Sequence, residues 1–259
     1  MISPSIHREV ILEILDGPSL DEVAVVADPH DAGGVLHVSG KLLLGGPGLV
    51  IRISCAGHQA EAPVQEDGSF ACSVQVAGVE HWFPSSPRLY PVVLEVGRGN
   101  VCLDRVEMTC GFRKIEVAGG RVHLNGEPTF LKGICYVYDS PVHGLVMDQE
   151  QIDTDIALIK ELGCNAVRCH YPQNERFYAA CDRAGLMVWI EPPVYCLHPR
   201  DDERNTPFAD PAWQSLAEQM IEEMVRTARN HPSVCIYGIG NECNTRNAEA
   251  EPFFRQLAA

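Results

Sequence analysis

Four places in this 259-residue chain put ionisable or strongly hydrogen-bonding side chains just after a short apolar run. Tyr136, with Tyr138 and Asp139 behind it, follows the first run, and Arg168, His170 and Tyr171 follow the second. Glu191 follows the third, and Asn241 with Glu242 the fourth. Carboxylates, an imidazole and a guanidinium can exchange protons with a polar ligand or hold it by charged hydrogen bonds. One such residue after a strand is an ordinary loop residue. Four in succession point to parallel strands whose carboxyl ends converge on one face.

The intervening segments have the texture such a sheet requires. Residues 130–136, 165–169, 186–190 and 234–239 read as strands, and 186–190 is apolar throughout, as in a strand buried on both faces. A helix is predicted from Asp148, with Ile152, Ile156, Ile159 and Leu162 on one face and a stop at Gly163. Another is predicted over 175–184, ended by Gly185. Asp210-Pro211 is an N-cap followed by proline at the first helical position, opening a third helix through Trp213, Leu216, Met220 and Met224. A last helix begins near Asn247. Alternating strands and helices imply a parallel sheet with crossover helices, either doubly wound or closed as a barrel. No GxGxxG or phosphate-binding loop favours the nucleotide-binding form.

Ahead of these units the chain reads differently. Residues 21–26, 35–44, 49–55, 69–76, 90–96 and 101–109 alternate apolar with polar or are β-branched, and glycine-rich turns separate them. That predicts a small antiparallel sandwich. Ile115-Glu116-Val117 and Arg121-Val122-His123-Leu124, around Gly119-Gly120, predict a hairpin followed by an Asn125-Gly126 turn.

Composition narrows the partners. A net charge of −15 argues against a nucleic-acid backbone and suits a neutral or weakly charged ligand. No apolar run is long enough for a bilayer span, and no membrane partner is expected. The first residues lack a signal-peptide layout. The eleven cysteines show no CxxC or Cys/His metal spacing. Buried reduced thiols, among them Cys72, Cys164, Cys169, Cys181 and Cys235, suggest a reducing, cytoplasmic compartment.

Four motifs, in order, carry a resemblance. Trp82-Phe83-Pro84-Ser85-Ser86-Pro87-Arg88-Leu89-Tyr90 resembles the W-x-P-x-x-P-x-L-Y segment of the immunoglobulin-like domain of glycoside hydrolase family 2. Gly111-Phe112-Arg113, then Leu124-Asn125-Gly126-Glu127-Pro128 and Leu131-Lys132-Gly133, are similar to that family's entry into its barrel. Asn165-Ala166-Val167-Arg168-Cys169-His170-Tyr171-Pro172 resembles its N-x-x-R-x-S-H-Y-P stretch. Asn230-His231-Pro232-Ser233 leading to Gly240-Asn241-Glu242 resembles its N-H-P-S to G-N-E signature.

The resemblance implies an immunoglobulin-like β-sandwich over 17–112 and the first half of a TIM (β/α)8 barrel over 113–259, a multidomain β plus α/β chain. Residues 1–16 would be a remnant of the family's sugar-binding jelly-roll domain. It implies a retaining β-glycosidase acting on a β-linked glycoside or oligosaccharide, with Glu242 as general acid/base. Asn241 would bind the sugar 2-hydroxyl, and Arg168 and His170 would position the sugar and hold carboxylates. Glu191 would line the pocket or pair with Arg168, and Tyr136 would contact substrate.

Two departures from the family pattern shape the expectations. Retention needs a second carboxylate about 5–5.5 Å from the first, which in the family lies on the seventh barrel strand. The chain is therefore expected to be truncated at both ends, inactive alone, and prone to self-association through half-barrel edges. Where some family members carry a magnesium-binding Glu-Thr-His-Gly run, this chain has Glu191-Pro192-Pro193-Val194-Tyr195-Cys196-Leu197, so no metal or other cofactor is expected. The competing readings are a non-catalytic carbohydrate-binding or scaffold protein and an enzyme of a related retaining family.

Overall fold

The structure, a computed structural model, describes residues 10–30, 32–140, 142, 144–197 and 207–259. The described residues fall into two compact units. One runs to Phe130 and takes in Asp182–Gly185 and Arg229–Pro232; the other holds the remainder from Leu131.

The first unit is a sandwich of two antiparallel sheets. Its strands are β1 (Ser19–His30), β2 (Gly33–Leu43), β3 (Val50–Cys55), β4 (His58–Pro63), β5 (Ser69–Ala77), β6 (Tyr90–Arg98) and β7 (Val101–Cys110). One sheet is ordered β1-β2-β5 and the other β4-β3-β6-β7. Alternate residues such as Leu36 and Val38, Ile51 and Ile53, and Val92 and Leu94 are fully buried in one core. Each full burial of such a side chain is worth about 1.5–3 kcal/mol. Strand β4 escapes a sequence reading because His58-Gln59-Ala60-Glu61 lacks β-branched residues; its pairing with β3 makes it a strand. Residues 10–16, part of the segment read as a jelly-roll remnant, form neither helix nor strand, and residues 1–9 lie outside the described residues.

The hairpin β8 (Ile115–Ala118) and β9 (Arg121–Leu124), with the short β10 (Glu127–Pro128), belongs to this same unit rather than to the following one. Asn125 ties it there: its Nδ2 donates to Trp82 O at 3.1 Å and its Oδ1 accepts from Lys114 N at 2.8 Å. Several signature residues turn out to be architectural. Trp82 is fully buried and its Nε1 donates to Asp182 O at 3.0 Å. Asn230 brackets β1, accepting from Val25 N at 2.9 Å and donating to Val23 O at 2.8 Å. His231 Nδ1 lies 2.6 Å from the buried Asp182 carboxylate.

The second unit is a four-stranded parallel sheet in the order β11 (Gly133–Tyr136), β12 (Ala166–Cys169), β13 (Met187–Ile190), β14 (Val234–Tyr237). Helices α1 (Gln149–Glu161), α2 (Glu175–Ala184) and α3 (Pro211–Ala228) make the crossovers, and α4 (Ala250–Leu257) follows the last strand. Helix α1 buries Ile152, Ile156 and Ile159, as its spacing requires. Asp148 caps it, accepting from Gln151 N at 2.8 Å. Asp148→Ala should lower stability by about 1 kcal/mol, measured as a shift of the urea midpoint. An unchanged midpoint would mean the cap is idle.

Two strand expectations need correction. The fourth strand stops at Tyr237 rather than 239: the regular ladder with β13 ends at the Ile190–Tyr237 pair, although Gly238 N still donates to Ile190 O at 2.8 Å. Strand β13 is not buried on both faces: Trp189 is 37% exposed. The register aligns Cys135, Arg168, Trp189 and Ile236 across the four strands, on the face opposite Val167 and Val188. Helices cover the latter side.

Candidate active site

The polar cluster is built at the carboxyl ends of β12, β13 and β14. Glu191, one residue past β13, is 1% exposed, which is tolerable for a carboxylate only with strong partners. It has them on both oxygens. Arg168 Nε and Nη2 donate to Oε1 at 3.0 and 2.7 Å, and His170 Nδ1 lies 3.0 Å from Oε2. Arg168 leans on the Trp189 ring, its guanidinium carbon 5.0 Å from the ring centroid.

The clamp reaches the next strand end. Arg168 Nη2 also donates to Asn241 Oδ1 at 2.7 Å. This fixes the amide: the oxygen faces Arg168, so Nδ2, a donor, is the group Asn241 can offer to a ligand. Gly238 makes the close approach of β13 and β14 feasible, since a Cβ there would come within 2.7 Å of Glu191 Cγ and Trp189 Nε1.

Glu242 is exposed and sits at φ 49°, in the left-handed region that non-glycine residues enter at a cost. The surrounding backbone holds it there. Past the sheet, the segment after β13 and the segment after β14 remain zipped: Gly238 N to Ile190 O at 2.8 Å, Asn241 N to Val194 O at 3.0 Å, Cys196 N to Asn241 O at 2.9 Å and Asn244 N to Leu197 O at 2.8 Å. The Glu242 carboxylate accepts from Cys196 Sγ at 3.7 Å.

Five of the six residues expected at the site, Arg168, His170, Glu191, Asn241 and Glu242, thus lie on one continuous network or the turn attached to it. Tyr136 does not. Strand alternation turns it to the helix side, in register with Cys169 and Ile190, both fully buried. Its hydroxyl donates to Asp155 of α1 at 2.6 Å and its ring stacks on Phe177 at 5.0 Å. Burial, then the Asp155 carboxylate, push the phenol far above its usual pKa, so it stays a neutral donor. Tyr138 is likewise structural, its hydroxyl bonded to Val146 O. Tyr136→Phe should cost about 1 kcal/mol, the worth of one hydrogen bond, since Asp155 keeps Gln151 Nε2 at 2.6 Å. Thermal unfolding would test this; a loss several times larger would mean the hydroxyl does more than cap Asp155.

A sequence reading passes over Trp189, Cys196 and Gly238 as site residues. Their signals were present only as an aromatic within an apolar strand, a thiol five residues past Glu191, and a glycine just before the fourth polar cluster.

A sandwich followed by successive strand–helix units, with charged residues at the carboxyl ends of parallel strands, defines the class: a barrel-type enzyme fold preceded by a β-sandwich domain. Residues 115–257 match the profile "Glycosyl hydrolases family 2, TIM barrel domain", and residues 37–113 match "Glycosyl hydrolases family 2". The chain belongs to glycoside hydrolase family 2. A β-galactosidase from Klebsiella pneumoniae is 35% identical over 186 residues, which are 69% of this chain and 18% of that protein. Among solved structures, a family 2 β-galacturonidase from Eisenbergiella tayi bound to galacturonate superposes with a TM-score of 0.81 at 26% identity, over 94% of this chain and 44% of that one. An FMN-binding β-glucuronidase from Facaelibacterium prausnitzii L2-6 does so with a TM-score of 0.81 at 25% identity, over 93% of this chain and 38% of that one. The chain spans about a fifth of the length of the curated relatives it matches.

Proposed function

We propose that this chain carries the general acid/base, Glu242, and part of the sugar pocket of a retaining β-glycosidase that cleaves a β-linked glycoside or oligosaccharide. The observation that carries the proposal is the division of labour between two carboxylates. Glu191 is buried with both oxygens engaged by Arg168 and His170, while Glu242 is exposed on a strained turn directly after Asn241. A buried, doubly paired carboxylate suits positioning. An exposed one suits proton exchange with a ligand.

In the first step Glu242 gives its proton to the glycosidic oxygen as the bond to the anomeric carbon breaks. In the second it takes a proton from the water that releases the sugar. Asn241 offers Nδ2 to the sugar 2-hydroxyl oxygen, a contact that strengthens as the oxocarbenium-like transition state develops. Arg168 fixes that amide, and Glu191 with Trp189 fixes Arg168. The nucleophile must be a further carboxylate about 5–5.5 Å from Glu242. Glu191 is poorly suited to that role, since attack would require it to abandon both partners.

The galactoside, glucuronide and galacturonate chemistry named for the relatives sets the first substrates to try. The test is hydrolysis of 4-nitrophenyl β-galactoside, β-glucuronide, β-galacturonide and β-mannoside by this chain and by a polypeptide containing it at the length of its relatives. The first-formed anomer is followed by proton NMR. A β-configured first product supports the proposal. An α-configured one, the result of inversion, overturns it.

A further inference from the structure

The thiols nearest the Asn241–Glu242 turn have no part in the chemistry above, yet two of them converge on it. Cys196 lies on the segment after β13 and Cys243 on the segment after β14, immediately beyond Glu242. Tyr195 and Asn241 form a parallel bridge, which brings these two backbones to about 4.8 Å, the spacing of neighbouring strands. Asn241 O accepts from the backbone N of Cys196 at 2.9 Å and from Cys243 Sγ at 3.4 Å, and the same Sγ lies 3.7 Å from Val194 O. The Cys243 thiol thus lies against the segment that carries Cys196. Cys196 is exposed and Cys243 half-buried, and neither is in a disulfide.

We propose that Cys196 and Cys243 are a reversible dithiol–disulfide pair, a redox modification site that staples the Asn241–Glu242 turn to the segment after β13. The Tyr195–Asn241 register sets Cys196 beside Glu242 and one step short of Cys243, a diagonal of about 5.8 Å from the strand spacing and rise. That is within the roughly 4.4–6.8 Å between Cα atoms that a disulfide bridges. The positive φ of Cys196 and of Glu242 (55° and 49°) breaks the alternation that would turn the two side chains to opposite faces. The oxidant is a peroxide. The exposed Cys196 attacks the O–O bond as thiolate, giving a sulfenic acid and, with its proton, one water. Cys243 sulfur then displaces hydroxide from that sulfenic acid, and hydroxide leaves with the second thiol proton as another water. Two electrons pass from the sulfurs to the peroxide and one S–S bond forms. A dithiol reductant reverses the change.

The two states differ at the site. In the reduced state Cys196 Sγ donates to Glu242 Oε2 at 3.7 Å. In the disulfide that donor is gone and its sulfur is bonded to Cys243. Partial desolvation and the Glu242 carboxylate raise the Cys196 thiol above its ordinary value, and burial raises Cys243 against opposing hydrogen bonds with the Leu197 and Asn241 backbone. Oxidation therefore accelerates as pH rises toward and through those raised values. The cross-link itself stands or falls independently of the glycosidase reading; only its effect on Glu242 rests on that reading.

The experiment exposes the reduced full chain to hydrogen peroxide at pH 8, quenches with iodoacetamide, and maps tryptic peptides under non-reducing conditions. The expected product joins peptide 184–200, whose one cysteine is Cys196, to peptide 230–246, with fragmentation placing the bond at Cys243 rather than Cys235. Dithiothreitol should return both peptides to the free form. In Cys243→Ser the sulfenic acid on Cys196 should persist and be captured by dimedone. Over-oxidised Cys196 without the linked peptide in the unsubstituted chain, or a bond to Cys235, overturns the proposal. Because the unsubstituted chain decides the matter, a poorly folding variant does not blunt the test.

Discussion

Arg168→Met should destabilise the four-stranded unit by about 3 kcal/mol, among the largest effects any single substitution here would have on folding. The cost does not originate in the arginine's own packing. It comes from Glu191, left 1% exposed with its charge and, among the described residues, only His170 pairing with it. Asn241 would lose its Arg168 donor at the same time. The expected signature is loss of hydrogen-exchange protection in β12 and β13, together with a lower urea midpoint. Adding Glu191→Leu to the same chain should recover part of the loss, because a buried pair replaced by apolar groups no longer carries a desolvation penalty. The double-substituted chain should fold better than Arg168→Met while remaining unable to orient Asn241. If Arg168→Met costs less than about 1 kcal/mol, the pair behaves like an exposed salt bridge. The clamp could then not be what positions the site.

Glu242→Gln should lower hydrolysis of alkyl β-glycosides by about 10²- to 10⁴-fold, the usual worth of a positioned general acid. Glutamine keeps the side chain's size and can still accept from Cys196, so folding should be unaffected. The effect should depend on the leaving group. An alkyl alcohol needs its oxygen protonated as the bond breaks, whereas a dinitrophenolate leaves readily without help. Dinitrophenyl glycosides should therefore suffer much less in the bond-breaking step. Glu242→Ala should respond to azide, which needs no general base and would trap the glycosyl group as a β-azide. These measurements use the polypeptide at the length of its relatives proposed above. Equal losses for alkyl and dinitrophenyl substrates, with no azide product, would remove Glu242 from the acid/base role.

Much of the candidate site's geometry was legible because parallel strand–helix units put the residues just past their strands in a predictable place. Arg168, His170, Glu191 and Asn241-Glu242 each stand at or just past the end of an apolar run, and the sheet brings such positions to one end by construction. The helices were legible through caps and stops: Asp148 before α1 and Gly185 after α2 mark the ends the structure has. Tyr136 was misread for a reason of the same kind. It is the last residue of its strand rather than the first beyond it, so the period-two alternation governs it and sends it to the helix layer. Its helical partner, Asp155, is nineteen residues away, and nothing local marks the contact.

By itself, then, the sequence determined which residues are available at the strand ends, the order of sandwich and parallel units, and the family motifs that accompany them. These are local properties: periodicity, capping and composition act over a few residues. Only the tertiary structure decided how the available groups divide. Glu191 becomes a buried anchor because Arg168 and His170 arrive from a neighbouring strand to neutralise it. Asn241 presents a donor because Arg168 occupies its oxygen, and Glu242 is left exposed on a turn fastened across two loops. The pairing of Cys196 with Glu242, forty-six residues apart, arises the same way. Burial and charge compensation are properties of three-dimensional neighbours, and a chain read one residue at a time holds no record of them.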